Sequence, residues 1–536
     1  MKKILSVLIA AILIINISGC NSSKKNPSNQ TIYYNLESDP ESLDPQIAND
    51  DVSNLVIANI FEGLVKIDKD NNIMPAVSES YEANSNYTSF IFNLRKDAKW
   101  SDKDATPVTA SDFVFALKRA VMPRTKSPTA FNLFSIKNAQ SINNGSLDET
   151  SLGVYALDDY KLKIDLEYSY EDFPRLMALP VAMPCNENLF NSTNGQYGLR
   201  SDCIPSNGPF MVKAKYGWER ENNLTLLKNE NYCGNFEAIP IGVKFSIGTL
   251  SGSFIDKVND GKIDAGHLPS NEIDTAEKEK YNITSFDDTI WGLCFNFNDS
   301  VFKNLNMRKA FIQSLNRDYV LSSLQSGSVV ANDIVMNSIN FEGENYRNLA
   351  GSNLYLPEVT NAKSFLISGM KELGLSTLSD ITVLCTDDSE VKSMVSNMIE
   401  IWNRELGYYF NMKPVSNSEL NDNIQAGQYQ LAIAPMQTTD DNVLDILYKF
   451  TSTSSDNICN MKDSKYDSLI KNATDSNSSK RLDYCIQGEK YLNSQGAFYP
   501  LYCGKRFYAS APNVTGIVFY QYGGIVDFTK SVKTRK

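Results

Sequence analysis

One arrangement in the sequence has the residue types of a nucleophilic enzyme. Ser389 and Lys392 form a Ser-x-x-Lys element at the start of a predicted helix, and Ser-Asp-Asn follows at 455–457, an order typical of penicillin-interacting serine enzymes. Their third element, Lys-Thr-Gly on a strand, is matched only by Lys-Thr-Arg at 533–535, and Ser-x-x-Lys recurs elsewhere in the chain. No Gly-x-Ser-x-Gly, Walker A or zinc motif is present in the sequence. We therefore predict that the protein is not an enzyme.

Histidine and cysteine do not indicate metal or redox chemistry either. His267 is the only histidine, and its setting in "GKIDAGHLPS" predicts a loop residue rather than a ligand. Eight cysteines follow Cys20 and none forms a Cys-x-x-Cys pair. Outside the cytosol some of them can pair, but eight cysteines allow 105 connectivities and the sequence does not choose among them. No cofactor and no metal are predicted.

The N-terminus has the layout of an export signal. "MKKILSVLIAAILIINISGC" places two lysines before an apolar run and small residues before Cys20. This predicts a signal peptide over residues 1–19, too short for a membrane span. The ending resembles the lipobox of bacterial lipoproteins, which implies lipidation of Cys20; the alternative is an ordinary cleaved signal. Residues 20–30 are polar and predict a flexible tether.

Composition limits the class of protein and its partners. The chain has 536 residues, a formal net charge of −12 and 42% hydrophobic residues. Its length predicts roughly three domains of about 150 residues each. The acidic balance and the lack of a basic patch interleaved with aromatic residues exclude nucleic acid as a partner. No second apolar stretch is long enough to cross a bilayer.

Strand and helix patterns alternate along the chain. "YTSFIFNLRKD" alternates Phe90, Phe92 and Leu94 on one face and predicts a half-buried strand. Thr109 then begins "TASD", a capping box that predicts a helix ending near Pro123. The alternation indicates an α/β or mixed α+β fold.

The segment 94–128, "LRKDAKWSDKDATPVTASDFVFALKRAVMPRTKSP", resembles the signature of the family 5 extracytoplasmic solute-binding proteins, the oligopeptide-binding type. Trp100, Asp112 and Arg119 stand at the family's positions. Further matches follow in family order from "SDPESLDP" at residue 38 to "FYPLY", which ends at residue 502. The resemblance covers essentially all of residues 31–536.

This resemblance implies an α/β fold of the periplasmic-binding-protein type, a two-lobed clamp of type II with an additional third domain. The implied boundaries are a discontinuous lobe I, an additional domain II and a lobe III. They are 31–62 with 195–285 and 505–536 for lobe I, 63–194 for domain II, and 286–504 for lobe III.

The resemblance also implies where a ligand binds. In peptide-binding relatives a carboxylate faces the ligand's ammonium group from a Gly-Trp-x-x-Asp-Tyr-x-x-Pro segment. The matching stretch here, "PMQTTDDNVLDILYKF", places Asp440 at that position with Asp441 beside it, and Gln437 replaces the tryptophan. Asp440 is predicted to contact the ligand amine, with Asp441 as the alternative carboxylate and with Gln437 and Thr438 close by. A solvated loop or a helix cap is the alternative for both carboxylates.

Four further positions are implied to contact the ligand. Asn49 and Asp51 lie in the stretch after Leu-Asp-Pro, where Asn49 replaces an acid usual in the family and a plain helix start is the alternative. Thr129 replaces a tyrosine that closes the pocket, and Gly504 replaces an aromatic residue. The scaffold is therefore expected to be kept while several walls of the pocket differ.

The function implied is that of an extracytoplasmic, lipid-anchored, monomeric binding protein that captures extended oligopeptides and delivers them to the permease of an ABC importer. Contact with the membrane is expected through the lipid anchor only. Two alternatives keep the same fold, namely a receptor for another solute and a receptor for a signalling peptide. The penicillin-interacting serine enzyme is a third alternative.

Overall fold

The structure is a computed structural model of the chain. It describes residues 30–324, 328–352, 361–378, 381–437, 441–454, 456–474, 476 and 478–534. The predicted signal peptide, Cys20 and the tether up to residue 29 lie outside these ranges. Strands and helices are numbered below in chain order.

The residues predicted to form lobe I contain a five-stranded mixed sheet, and the predicted names of the lobes are kept below. Strand β1 (Thr31–Leu36) runs parallel to β11 (Gly242–Ile247), which pairs antiparallel with β10 (Asn223–Lys228). Strands β8 (Phe210–Val212) and β9 (Trp218–Glu219) both pair with β10. Every second side chain of β1 is buried. The sheet therefore has one face on the hydrophobic core.

Helices and short strand pairs complete lobe I. The helices are α1 (Asp51–Ile60), α6 (Phe254–Asn259) and α7 (Ile273–Lys278). The last residues of the chain add the pairs β21–β24 (Val514–Thr515 with Val532–Lys533) and β22–β23 (Val518–Phe519 with Val526–Asp527).

Domain II has its own four-stranded antiparallel sheet. Its order is β4 (Ser78–Ala83), β5 (Ser89–Leu94), β7 (Lys161–Asp165) and β6 (Val154–Asp158). The hairpin β2–β3 (Val65–Ile67 with Ile73–Pro75) precedes this sheet. The helices of the domain are α2 (Ala110–Val121), α3 (Ala139–Asn143), α4 (Phe173–Leu176) and α5 (Glu187–Ser192).

The signature segment forms a strand-to-helix corner in domain II. Strand β5 buries Phe90, Phe92 and Leu94, as the alternation predicts. Helix α2 begins with a capping box formed by Thr109 and Asp112. The indole Nε1 of the fully buried Trp100 donates to the Oδ2 atom of Asp112 at 3.2 Å. The tryptophan thus fixes the loop to the first turn of the helix, which is a structural role.

A seven-stranded sheet is the centre of the predicted lobe III, and its strand Ala265–His267 and one end of each of its two longest strands fall within the bounds predicted for lobe I. The order is β12-β20-β13-β19-β17-β18, with β14 beside β20. The strands are β12 (Ala265–His267), β13 (Asn282–Phe295), β14 (Val329–Val330), β17 (Thr382–Thr386), β18 (Asn411–Val415), β19 (Leu431–Gln437) and β20 (Phe498–Ser510). A separate short hairpin joins β15 (Asn340–Phe341) and β16 (Glu344–Asn345).

Helices cover the faces of this sheet. They are α8 (Leu305–Gln313), α9 (Arg317–Leu321), α10 (Tyr346–Ala350), α11 (Ala362–Leu373), α12 (Ser389–Leu406), α13 (Asn417–Gln425), α14 (Val443–Tyr448), α15 (Ser464–Thr474) and α16 (Ser478–Gln495). His267, predicted to lie in a loop, is instead the last residue of the edge strand β12 and pairs with Tyr508. Local sequence could not indicate this partner, which is 241 residues away. Within the described ranges no helix is long and apolar enough to cross a membrane.

Two long strands connect the hydrophobic cores. One core cluster contains buried residues of both lobe I and domain II, and two further clusters lie within lobe III. Strands β13 and β20 pair with each other along their length and reach from the first cluster into the other two. Their register shifts between Asp287 and Thr289 and again between Trp291 and Gly292. Such irregularities bend a strand pair locally and release part of its hydrogen-bond ladder.

Candidate functional site

A cavity of about 240 Å³ lies where lobe I, domain II and lobe III meet. Lobe I contributes Asn54 and Tyr520, domain II contributes Lys66, and lobe III contributes Asn340 and Asp441. Three separate parts of the chain therefore enclose one space. A site of this kind is complete only when the lobes are close together, as they are here.

A buried ion pair forms part of the wall. Lys66 Nζ lies 2.5 Å from Asp527 Oδ2 and 4.6 Å from the centre of the Phe236 ring. Burial alone would raise the pKa of Asp527, but the Lys66 ammonium and hydrogen bonds from Thr529 hold it below its usual value. Asp527 is therefore a carboxylate, matched by a cation at the edge of the cavity.

A second acid in the wall behaves differently. Glu62 is almost completely buried and accepts a hydrogen bond of 2.6 Å from the Tyr232 hydroxyl. Burial raises the pKa of Glu62 to about 7, although the bond from Tyr232 opposes the shift. This side chain therefore changes charge in the neutral range while it faces the cavity.

A network of polar side chains joins domain II to lobe III across the cleft. Arg175 Nη1 donates to Asn71 Oδ1 at 2.8 Å, and Asn71 Nδ2 donates to Asp441 Oδ2 at 2.7 Å. Asp441 also accepts from the backbone N–H and the side-chain amide of Asn340, at 2.8 and 2.7 Å. Its carboxylate is thus buried and held by groups from both sides of the cleft.

A second cavity of about 270 Å³ lies between domain II and lobe III. It shares Asn132, Arg175, Asn340 and Asp441 with the first cavity, so the polar network forms the partition between the two spaces. Its other wall residues include six aromatic and four acidic side chains from both parts of the chain.

Stacked rings and a buried arginine hold the second cavity closed. The rings of Phe131 in domain II and Tyr448 in lobe III stack with their centres 4.6 Å apart at 11°. The guanidinium of Arg481 in lobe III lies 4.2 and 4.8 Å from the ring centres of Tyr168 and Tyr170. Contacts of both kinds connect side chains on opposite sides of the cleft.

The structure brings three of the predicted site residues to these cavities. Asn49 and Thr129 line the first cavity, and Asp441 lines both. Asp440 and Thr438 lie outside the described residues. Asn49 is exposed, whereas the side chain of Asp441 is buried.

The remaining predicted residues do not line either cavity. Asp51 is the first residue of α1 and is exposed, beside Gly524. Gln437 ends β19 and donates from Nε2 to Thr289 Oγ1 at 3.2 Å.

Gly504 lies on β20 and pairs with Thr289 of β13. A Cβ atom added to Gly504 would lie 2.9 Å from the indole Nε1 of Trp291. The Trp291 ring therefore occupies the space next to this position that a side chain would need.

Several residues of the site were not predicted from the sequence. Lys66, Asn71, Arg175 and Asp527 face the cavity, and no local pattern marks them. Lys66 lies in the part of the chain that resembles the family, but the resemblance assigned no role to it. Ser389 begins α12 and is exposed, and it lines neither cavity.

Comparison with known protein families identifies the family of this chain. The model of the bacterial extracellular solute-binding proteins, family 5, matches residues 72–457. The chain belongs to this family. It therefore shares the two-lobed, mixed α/β type II fold and is a solute-binding protein.

Curated relatives of this family 5 chain are similar over nearly its whole length. It is 26% identical to the dipeptide-binding protein DppE of Bacillus subtilis, over 95% of this chain and 93% of that protein. It is also 26% identical to the oligopeptide-binding protein OppA of Bacillus subtilis, over 94% of this chain and 93% of that protein.

Solved structures agree with this assignment. The substrate-binding domain of an oligopeptide ABC transporter from Bacillus anthracis superposes with a TM-score of 0.78 at 26% identity, covering 96% of this chain and all of that chain. Listeria monocytogenes OppA bound to peptide superposes with a TM-score of 0.79 at 24% identity, covering 95% of this chain and all of that chain, which supports the fold alone.

Proposed function

We propose that this family 5 protein captures short peptides between its lobes and delivers them to the permease of an ABC importer. The observation that carries the proposal is the enclosed cavity built from lobe I, domain II and lobe III. Relatives named as dipeptide- and oligopeptide-binding proteins over nearly the full length support peptides as the solute class. Binding is the whole activity, with no bond made or broken.

The polar groups of the wall suit a peptide ligand. Asp441 is a buried carboxylate at the partition between the cavities, and a carboxylate can compensate the charge of a peptide ammonium group. Asn54 Oδ1 is buried in the wall of the first cavity and has no hydrogen-bond partner within the described ranges. A backbone N–H of the ligand would satisfy this acceptor. The predicted role of Asp440 at the ligand amine remains part of the proposal, as do those of Gln437 and Thr438.

Closure of the lobes couples binding to delivery. The bulged pair β13–β20 connects the cores at the proposed boundaries 285/286 and 504/505, so bending there would open the cleft without unfolding either core. A ligand that contacts both lobes stabilises the closed form. The permease then recognises that form, and opening releases the peptide.

The cellular setting belongs to the same proposal. The leader before Cys20 would direct export, and acyl chains on Cys20 would hold a monomeric protein on the extracytoplasmic face of the membrane. Two or more chains anchor stably because each buried methylene contributes roughly 0.8 kcal/mol. Mass spectrometry of the membrane-extracted protein tests this directly, since Cys20→Ala would remove the lipid mass and release the protein.

The test of the proposed function is the native mass of the protein made from residue 26 onwards, before and after acid stripping. A heterogeneous loss of several hundred daltons that sequences as short peptides supports the proposal. A single homogeneous non-peptide mass assigns the protein to another solute. If the protein is empty and a peptide pool at about 100 times the expected Kd fails to add roughly 2.7 kcal/mol of stability, general peptide capture is rejected.

A further inference from the structure

The second cavity is too small to hold a whole ligand by itself. Ligand pockets usually span about 300–1,000 Å³, whereas the two cavities measure about 240 and 270 Å³. The two cavities are adjacent, since Arg175, Asn340 and Asp441 line both, so a ligand that lies across these residues would occupy both. The second cavity is therefore a place for one part of a ligand whose remainder lies in the first.

The wall of the second cavity has an excess of negative charge. Five carboxylate residues line it against three cationic ones. The acids are Asp172, Glu342, Asp441, Asp445 and Asp467, and the cations are Arg175, Lys471 and Arg481. A cationic group entering the cavity reduces this imbalance, whereas an anionic group increases it.

The cavity wall also contains a polar group that lacks a partner. Ser135 is 4% exposed and lines the cavity, and its Oγ atom has no hydrogen-bond partner within the described ranges. A buried hydroxyl of this kind is costly unless something bonds to it. A ligand group that donates a hydrogen bond would satisfy the Ser135 oxygen.

The chain itself shows how cations are held in this region. The buried guanidinium of Arg481 lies over Tyr168 and Tyr170 and binds Glu342 Oε1 at 2.5 Å. Aromatic faces and carboxylates are thus already used together to bind one cation in this wall.

A lysine next to the cavity behaves in the same way. Burial opposes the charge of Lys449, but Asp445, Asp456 and Asp51 together raise the pKa of its ammonium group. The surroundings therefore keep a buried ammonium charged.

We propose that the second cavity is a subsite for a basic side chain, lysine or arginine, of the bound peptide. The aliphatic stem would lie along the aromatic wall, and the charged end would lie among the carboxylates and donate to Ser135 Oγ. This inference rests on the proposed function, because it assigns the specificity of that same peptide site.

The experiment compares tripeptides that differ in one charge. Calorimetry would measure the affinity of alanine tripeptides that carry lysine, norleucine, phenylalanine or glutamate at each of the three positions in turn. We expect lysine to bind at least tenfold more tightly than norleucine at one position, and glutamate to bind more weakly there.

Two variants make the assignment specific. Asp467 lines the second cavity but not the first. Its Oδ1 atom accepts a hydrogen bond from the Ser452 N–H, and Asp467→Asn keeps an oxygen that can accept this bond. This variant should lose most of the preference for lysine over norleucine. Asp422→Asn, at an exposed position on α13, removes the same charge elsewhere and should change neither.

The outcomes separate the two proposals. Equal affinities for lysine and norleucine peptides at all positions would overturn the basic subsite while peptide binding stands. Tightest binding of the phenylalanine peptides would make the cavity an aromatic pocket and would also overturn it. If no tripeptide binds and acid stripping releases no peptide from the protein, the proposed function is rejected, and the basic subsite is rejected with it.

Discussion

Arg119 of helix α2 and Asp44 of the loop after β1 form a buried ion pair that joins domain II to lobe I. Arg119 Nη1 donates to Asp44 Oδ2 at 2.7 Å, and Nη2 contacts both Asp44 Oδ1 and Gln46 Oε1. The side chains are 8% and 4% exposed. Both residues come from segments that carry the family signature, so these segments meet in the folded protein and secure one domain against the other.

Replacing this arginine should strongly destabilise the protein. Arg119→Met leaves Asp44 buried without its cation, which typically costs about 3–5 kcal/mol. Urea unfolding followed by circular dichroism would measure this loss of unfolding free energy. Arg124→Met, at an exposed side chain that lies 3.5 Å from Glu149, should cost less than about 1 kcal/mol. Similar losses for both variants would refute a structural role for the Arg119–Asp44 pair.

The resemblance of this segment allowed its fold to be predicted well. Thr109, Asp112 and the inward face of β5 were recognisable because capping and alternation are local patterns. The type II fold was predicted because segments that resemble the family run through the whole chain, and these same segments identify the family. Local pattern and overall topology agree here, which is why the prediction of the fold is confirmed.

The site was less predictable because its residues meet only in three dimensions. Asn71 and Asp441 are 370 positions apart in the chain, and neither stands in a motif that names the other. Cysteine pairing shows the same limit. The sequence allowed 105 connectivities, whereas in the described part of the chain Cys294 and Cys459 are free thiols with their Sγ atoms 3.1 Å apart.

Ionisation of Glu62 should make stability depend on pH. Burial raises the pKa of Glu62 from 4.5 to about 7 in the folded protein, so between these values the folded state binds more protons than the unfolded state. The contribution of Glu62 to stability is therefore full below about pH 4.5 and decreases as pH rises to about 7. The expected loss is of the order of 3 kcal/mol.

Glu62→Gln isolates this contribution. The amide stays neutral and can still accept from the Tyr232 hydroxyl. We expect the variant to gain stability relative to the parent as pH rises from 5 to 8, measured as a difference in unfolding free energy. Parallel curves for the two proteins over this range would show that Glu62 is already charged in the folded state.

The contact between Asn71 and Asp441 should contribute to ligand affinity through closure of the cleft. Asn71 has a left-handed backbone with φ 65°, so Asn71→Gly removes the side chain without straining the backbone. Loss of its hydrogen bond leaves Asp441 less well satisfied in the closed form, at a cost of about 1–2 kcal/mol. Calorimetry with a bound peptide should therefore show roughly five- to thirtyfold weaker binding.

A matched variant controls for the substitution itself. Asn194 also has a positive φ, of 50°, but is exposed in a loop away from both cavities. Asn194→Gly should leave affinity unchanged. Equally weakened peptide binding in both variants would mean that glycine lowers affinity by making the backbone more flexible, and not by removing the contact across the cleft.

The stacked pair Phe131–Tyr448 should show energetic coupling in binding. The rings belong to opposite sides of the cleft, so they meet only when it is closed. A double-mutant cycle with Phe131→Leu and Tyr448→Leu should give a coupling of about 0.5–1.5 kcal/mol in peptide affinity. Tyr81 and Phe92 pack within domain II at 5.6 Å and should couple in unfolding but not in affinity. Additive effects for Phe131 and Tyr448 on binding would contradict closure by this contact.

The arrangement of lobe I has a consequence for the order in which the protein can be made. The side chain of Asn59 bonds to the backbone of Val526 and Phe528, so lobe I combines an early and a late segment of the chain. A ribosome produces the early part of this lobe more than 450 residues before its last strands. The lobe cannot finish folding until these late residues have been made, 467 residues after Asn59, which suits the export proposed above.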